Sequence, residues 1–264
     1  NIGVVGNANL RPEKTIQGEL GLQQQISYNM ALDVTAYFRD IRDLAGTRSE
    51  EITLFGGSAS YNRLENSDFA YVRGLVLSLS MIETNGFSAS LDYTFQIAKG
   101  SASDPQQARN AIAGGSLPEI QLTPLDWDQR NTVNVSLSYD RANWGISGIG
   151  QFGSGLPYTP LSTEDISSLV LNSGKKPLTL NVDLKGYFIP RDGLRLFIRA
   201  ENIFDRLNPY TVYDDSGVAD FTRWENIAKS QNTGEPVNSI SKWFLNETFY
   251  SNPRRIELGL SYVF

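Results

Sequence analysis

The chain has 264 residues, of which 40% are hydrophobic, a formal net charge of −6 at neutral pH, and neither cysteine nor histidine. The acidic balance argues against the basic surface that binds phosphates, so no nucleic-acid partner is expected. The two absent residue types exclude a disulfide framework, a Ser–His–Asp triad and a metal site built on cysteine or histidine, so we expect no enzyme activity, no metal and no cofactor.

Alternation of apolar and polar residues runs through most of the chain. The alternating segments are, in chain order, 15–25, 31–41, 68–83, 87–97, 131–140, 144–153, 178–188, 194–205 and 254–264. In the fourth of them, Phe87, Leu91 and Phe95 alternate with Ser88 and Asp92. A period of two residues is typical of strands with one apolar and one polar face. The pattern predicts about nine strands and an all-β fold.

The breaks between these segments alternate in length. Four are short and carry the Gly, Asn and Asp residues of tight hairpins: 27–30, 84–86, 141–143 and 190–193. Four are long and polar: 42–67, 98–129, 156–176 and 206–250. In an antiparallel up-and-down sheet, this order collects all short turns at one end and all long loops at the other. That arrangement is typical of a transmembrane β-barrel with periplasmic turns and extracellular loops.

Hydropathy alone favours a water-soluble protein, because the mean hydropathy is −0.29 and no apolar run reaches the length of a membrane helix. A membrane strand, however, needs only about 9–11 residues and exposes every second one to lipid. The polar face carries charges such as Asp92, Asp183 and Arg199, which suit a wet or plug-filled lumen. A soluble sandwich or barrel is the alternative, but its loops do not sort by length in this way.

An open sheet edge in lipid leaves backbone groups unpaired, and single-chain bacterial barrels close on an even number of strands. Nine strands is an odd number. We therefore expect Asn1 not to be the natural start, upstream strands to pair with both edges, and Phe264 to be the authentic C-terminus.

Five stretches, in order, resemble the TonB-dependent outer-membrane receptors: "NANLRPEKTIQGELGLQ" (7–23), "ALDVTAYFRDIRDL" (31–44), "PLDWDQRNTVNVSLSY" (124–139), "RAENIFDRLNP" (199–209) and "RRIELGLSYVF" (254–264). The chain departs from the family pattern at Arg11, where lysine is usual, at Asn131, where histidine is usual, and at Ile203, where leucine is usual. The spacing and "VYDDSG" (212–217) resemble the Bacteroidota-type branch, whose receptors often carry an N-terminal carboxypeptidase-regulatory-like domain.

The resemblance implies a barrel of about 22 strands with a plugged lumen, of which residues 1–264 form the C-terminal portion. It also implies the outer membrane as location, an upstream plug and TonB box, and energised uptake of a siderophore, vitamin, glycan or peptide through the inner-membrane TonB complex. A surface lipoprotein subunit is a further expected partner. The open alternatives are a barrel that anchors a surface complex, a passive channel, and a soluble lectin-like domain.

The last strand has a second implied role, as the signal that the barrel-assembly machinery recognises by its terminal aromatic residue. Its outward-facing residues are predicted to be Ile256, Leu258, Leu260, Tyr262 and Phe264. Phe264 would then lie at the periplasmic rim. Near the short turns, Tyr139, Trp144 and Phe188 are predicted to join the periplasmic aromatic girdle.

The last long loop holds the candidate ligand-binding residues Tyr210, Tyr213, Asp214, Asp215, Trp224 and Trp243. Acids and aromatics together can bind a cation or stack on a sugar or a catechol. The simpler interpretation is a solvated loop with aromatic residues packed beneath it. With Asp220, the acids do not match the spacing of an EF-hand. In a second loop, Asp126 and Asp128 flank Trp127, which is predicted to anchor at the lipid head groups.

Overall fold

The computed structural model describes residues 3–47, 52–106, 122–161, 171–232 and 239–262. Nine long strands form one antiparallel sheet in which each strand pairs with its neighbours in sequence. Their bounds are β1 Lys14–Ser27, β2 Met30–Gly46, β3 Glu65–Thr84, β4 Phe87–Gly100, β5 Asn131–Asp140, β6 Trp144–Gly153, β7 Thr179–Arg191, β8 Leu194–Glu201 and β9 Arg255–Tyr262. This up-and-down order confirms the predicted fold class.

The register gives the sheet one continuous apolar face. A single row crosses it from Leu22 through Val34, Leu77, Tyr93 and Val133. These side chains face outward rather than into a core, and Leu20 and Leu258 are 79% and 80% exposed. A slip of one residue would move the whole apolar set to the other face, so the alternation fixes the register.

The opposite face is polar across the same strands. The row next to Leu77 contains Asp33, Ser78, Asp92 and Asn134. The Ser78 hydroxyl donates to the Asp92 carboxylate at 2.6 Å, so part of this face is hydrogen-bonded across strands. Such a surface suits the inside of a barrel, where water or a plug meets the wall.

All four short turns join consecutive strands at one end of the sheet, as predicted. Between β3 and β4, Asn85 and Gly86 have φ angles of 54° and 88°. Positive φ at both central residues defines the type I′ turn, for which Asn-Gly is the preferred sequence. Gly193, with φ of 79°, is the one residue of positive φ in the turn between β7 and β8.

Several predicted boundaries are wrong. Strands β2 and β3 continue into the predicted loop 42–67, because a bulge between Ile41 and Leu44 absorbs the break in alternation and pairing resumes beyond it. Conversely, β8 ends at Glu201 instead of 205, because Asn202 and Asp205 adopt positive φ angles of 49° and 53°. The last strand is described as far as Tyr262, and Phe264 lies outside the described residues.

The long connections contain small elements of their own. Gly3–Val5 pairs in parallel with Ala59–Arg63, which pairs antiparallel with Ile52–Leu54. Two further short strands, Pro157–Tyr158 and Gly174–Lys175, pair with each other. The short strand Thr123–Pro124 pairs with the end of β4. The last loop contains helix α1 (Arg223–Gln231), helix α2 (Ile240–Phe244) and a 3₁₀ turn, Glu247–Phe249, and a second 3₁₀ turn spans Phe55–Gly57. Across the described ranges, no helix is long and apolar enough to cross a membrane.

Candidate ligand-binding loop

The loop between β8 and β9 is fastened at its base by Asn202. The Asn202 amide nitrogen donates to the carbonyls of Arg206 and Asn252 at 2.9 and 3.1 Å, and its oxygen accepts from the Arg206 backbone at 3.0 Å. The backbone N–H of Asn202 donates to the Asp183 carboxylate of β7 at 2.8 Å. This buried residue therefore joins the two ends of the loop to the sheet.

A second buried asparagine, Asn208, extends the β7 ladder with its side chain. Its amide oxygen accepts from the Leu180 backbone N–H at 2.8 Å, and its amide nitrogen donates to the Leu180 carbonyl at 2.9 Å. On the other side, the Asn208 backbone exchanges hydrogen bonds with Ser251. Pro209 and Tyr250 then form an isolated antiparallel bridge. The loop therefore leaves the sheet as a closed, doubly fastened unit.

Tyr213 lies inside this unit. Its ring contacts that of Phe249 at 5.0 Å between centroids, and its hydroxyl donates to the Phe244 carbonyl at the end of α2. Burial, followed by the nearby carboxylates of Glu225 and Asp215, raises the pKa of the Tyr213 hydroxyl above its ordinary value. The phenol therefore stays protonated and acts as a donor that holds α2 against the loop.

Asp215 fixes the start of α1. Its carboxylate accepts from the Thr222 hydroxyl at 2.9 Å and from the Arg223 backbone N–H at 2.7 Å. A carboxylate at a helix N-terminus is favoured by the exposed amide groups and the helix dipole. Both hydrogen bonds that the Asp215 carboxylate accepts thus stabilise the fold of the loop.

Asp214, next to Asp215 in sequence, lies near Lys176. The residue is solvent-exposed, yet loss of water around its carboxyl raises its pKa, with Lys176 acting in the opposite direction and Asp215 adding to the rise. The Lys176 ammonium donates to the Tyr210 carbonyl at 3.0 Å. Among the residues the structure describes, no group of three acidic side chains is gathered that could hold a metal ion.

Three of the six predicted residues are aromatic and open to solvent. Tyr210 is 63%, Trp224 52% and Trp243 83% exposed. Trp224 lies in the first turn of α1 and Trp243 lies in α2. The two helices are linked by Glu225, whose carboxylate binds the Lys229 ammonium at 2.6 Å and accepts from Ser241. The structure therefore separates the six residues into an inner pair that shapes the loop (Tyr213 and Asp215), an exposed carboxylate (Asp214) and an outer aromatic set (Tyr210, Trp224 and Trp243).

Sequence reasoning missed the two anchoring asparagines and the role of Asp128. Asp128 is 2% exposed, accepts from the Ala98 backbone N–H at 2.7 Å and binds the Arg130 guanidinium at 2.7 Å. Trp127 beside it is 47% exposed. A usable signal was the run "PLDWDQR", which interrupts the alternation with closely spaced charges directly before a strand.

The comparisons with known proteins point in one direction. The family model described as "TonB dependent receptor-like, beta-barrel" matches residues 1–203. No curated protein matches significantly.

Solved structures add the same fold over nearly the whole chain. The outer membrane transporter YddB from Escherichia coli is 12% identical with a TM-score of 0.65, over 98% of this chain and 34% of its own. A mutant of the ferric enterobactin receptor PfeA from Pseudomonas aeruginosa is 16% identical with a TM-score of 0.61, over 99% of this chain and 32% of its own. The chain thus spans about a third of the length of the structures it matches.

Proposed function

Because the chain belongs to the TonB-dependent receptor β-barrel family, which resides in the outer membrane, we propose that it forms the C-terminal portion of a receptor that takes up a scarce ligand with energy from TonB. The observation that carries this proposal is the nine-stranded sheet with an apolar outer face, a polar inner face and all long loops at one end. The missing strands, the plug and the TonB box belong to the upstream chain in this proposal.

The proposed ligand is a siderophore, a vitamin, a glycan or a peptide, and the last long loop contributes to its capture. Tyr210, Trp224 and Trp243 offer exposed rings on which a sugar, a catechol or another flat group can stack. Tyr213 and Asp215 support this surface from within through their contacts with α2 and α1. Asp214, exposed beside them, supplies a carboxylate for a polar group of the ligand.

The uptake proposal is tested by growth on a limiting nutrient. A strain with the full-length receptor as its sole uptake route is supplied in turn with a ferric siderophore, cobalamin, an oligosaccharide or a peptide. Growth on one of them is expected to require both the receptor and TonB. Growth that persists without TonB would instead indicate a passive channel, and no receptor-dependent growth on any of them would favour an anchor for a surface complex.

The loop is tested with the double variant Trp224→Ala/Trp243→Ala. We expect about tenfold weaker binding of the nutrient identified above. The comparable stacking of a nucleobase on an aromatic side chain contributes roughly 1–3 kcal/mol. Trp127→Ala, which removes a comparably exposed tryptophan from another loop, is the control and should bind normally. Equal binding by both variants would remove the outer aromatic set from the ligand site while leaving the transport proposal intact.

We also propose that β9 carries the signal for barrel assembly. Ile256, Leu258, Leu260 and Tyr262 are all exposed on the apolar face, and β9 pairs with β8 along its whole length. Within the described part of the chain β9 is the edge strand of the sheet, and an edge strand with an outward apolar row is a suitable template for the assembly machinery. Phe264, the terminal aromatic in this proposal, completes the alternation in the sequence.

A further inference from the structure

The paired strands Pro157–Tyr158 and Gly174–Lys175, here called the side hairpin, contact the last long loop through Tyr158. A Cβ atom added at Gly174 would collide with Cε1 of the Tyr158 ring, and one added at Gly217 would collide with the Tyr158 hydroxyl oxygen. Gly174 belongs to the hairpin itself, whereas Gly217 belongs to the last loop. The Tyr158 ring therefore fills a slot between two loops, and glycine on both sides leaves the room for it.

Gly217 closes the turn that carries two of the candidate ligand-binding residues. Its φ of 76° lies in the left-handed region that favours glycine. The Gly217 N–H donates to the Tyr213 carbonyl at 2.8 Å, and the Tyr213 N–H donates to the Val218 carbonyl at 2.9 Å. Asp214 and Asp215 lie inside this closed turn. A contact at Gly217 therefore acts directly on the backbone that presents both carboxylates.

The side hairpin also donates two hydrogen bonds to the same stretch of the last loop. The Leu161 N–H donates to the Asp214 carbonyl at 2.9 Å, and the Lys176 ammonium donates to the Tyr210 carbonyl at 3.0 Å. Both acceptors are backbone atoms. The Tyr210 ring and the exposed Asp214 side chain consequently stay open to a ligand while the backbone that carries them is held.

The side hairpin is itself fixed to a third loop by Asn172. This residue is buried, and its amide nitrogen donates to the Pro124 carbonyl at 2.8 Å and to the Asp126 carboxylate at 2.7 Å. The Asn172 backbone N–H donates to the Thr159 hydroxyl at 3.1 Å, across the hairpin. Pro124 in turn pairs with the end of β4. A continuous series of contacts thus runs from the sheet through the side hairpin to the turn of the last loop.

The base of the last loop does not hold this turn by itself. The base ends at the bridge between Pro209 and Tyr250, directly before Tyr210. Within the part of the chain that the structure describes, the hydrogen bonds that reach residues 210–217 from outside the last loop come from the side hairpin. A site whose groups are already in place binds more tightly, because less conformational freedom is lost on binding.

We propose that Tyr158 is a positioning residue for ligand capture by the last loop. It holds the turn at Gly217 from the side, so that the Tyr210 ring and the Asp214 carboxylate are in place before the ligand arrives. This inference rests on the proposed function, in which these two groups contact the ligand. Tyr158 itself touches no ligand and acts on affinity only through the order of the turn.

The test uses the full-length receptor and the nutrient that the growth assay identifies. Gly217→Ala places a methyl group where the Tyr158 hydroxyl lies and expels the ring. In the ligand-free receptor, the protection factors of the Leu161 and Gly217 amides should fall about tenfold, and nutrient binding should weaken by a similar factor. Amide exchange in β3 should be unchanged, which shows that the barrel wall is intact.

The double variant Gly217→Ala/Tyr158→Phe lacks the hydroxyl that meets the new methyl group and should recover part of both losses. The nearest remaining contact is 3.1 Å to Cζ of the ring, which a small shift relieves. The matched control is Gly57→Ala, which also places a side chain at a positive φ, 94°, but has open space around it. It should change neither the protection of the Leu161 amide nor nutrient binding.

Three results would overturn the proposal. Normal nutrient binding by Gly217→Ala, with protection of the Leu161 amide lost, would mean that the joint serves the fold alone. No recovery in the double variant would assign the loss to backbone strain at Gly217 and not to Tyr158. Absence of receptor-dependent growth on every nutrient would refute the proposed function and this inference with it, and that result is recognised without any variant.

Discussion

At the scale of single residues, the Asp128 carboxylate takes the place of a backbone carbonyl in the ladder beside β4. Thr123–Pro124 pairs with the end of β4, and the Leu125 N–H donates to the Ala98 carbonyl at 3.1 Å. The chain then turns before β5 begins, so the Ala98 N–H has no backbone acceptor in the ladder and donates to Asp128 instead. The side chain thus allows the turn without leaving a buried donor unpaired.

Asp128→Ala is expected to lower the free energy of unfolding by about 1–3 kcal/mol, since it leaves the buried Ala98 N–H unsatisfied. The loss would be measured by urea unfolding of the full-length receptor in lipid vesicles. Asp128→Asn keeps the acceptor oxygen and should cost less. Amide exchange at Ala98 gives a local check, because protection of this amide equal to that of the unchanged receptor would contradict the assigned role.

Asp128, Asn202 and Asn208 show why sequence patterns predicted the strands and not these anchors. The alternation records which face each side chain occupies, and it needs no knowledge of distant residues. Asn208, by contrast, binds Leu180, which is 28 positions away, and Asn202 binds Asn252, 50 positions away. An asparagine in a loop carries no sign of which distant carbonyl it will meet.

At the scale of elements, sequence patterns likewise predicted the nine strands and not the helices of the last loop. Helix α1 has only nine residues and α2 only five. Isolated helices of this length are marginal in water, and they are too short to show a clear helical period in the sequence. They are stabilised by caps and contacts, namely Thr222 at the start of α1, Ser239 at the start of α2, and the link through Glu225 between them.

This link makes the helix pair sensitive to acid. Hydrogen bonds from Lys229 and Ser241 lower the pKa of Glu225 below its ordinary value of 4.5. A lowered pKa in the folded state contributes stability above the ordinary value, and that contribution is lost as the pH falls through the lowered pKa. We therefore expect the protection factor of the α1 amides, which is the exchange rate corrected for the intrinsic pH dependence of exchange, to fall on acidification through this range.

Glu225→Gln should show faster exchange in α1 than the unchanged receptor at pH 7, and the two rates should converge once the pH is below the lowered pKa, where the carboxyl is protonated in the folded state as well. Glu247→Gln, which changes an acid of the same loop outside α1 and α2, is the control and should leave α1 unaffected at either pH. An equal difference at both pH values would assign the effect to packing instead of charge.

At the scale of the whole molecule, the two faces of one sheet meet two different solvents. Adjacent residues of β3 differ accordingly: Leu77 joins the outer row with Val34 and Tyr93, and Ser78 binds Asp92 on the inner face. The sequence predicted this division because strict alternation requires it. It did not predict the bulge between Ile41 and Leu44 in β2, which interrupts the simple pattern near the long-loop end of the sheet.

The division predicts opposite outcomes for the same substitution at neighbouring positions. Leu77→Arg places a charge near the middle of the apolar band and should lower the free energy of unfolding by about 2–4 kcal/mol. Ser78→Arg places the same charge on the inner face beside Asp92 and should cost far less. Unfolding of both full-length variants in vesicles measures the difference. Equal costs would mean that both faces of β3 meet the same environment, and the assignment of Leu77 to lipid would fail.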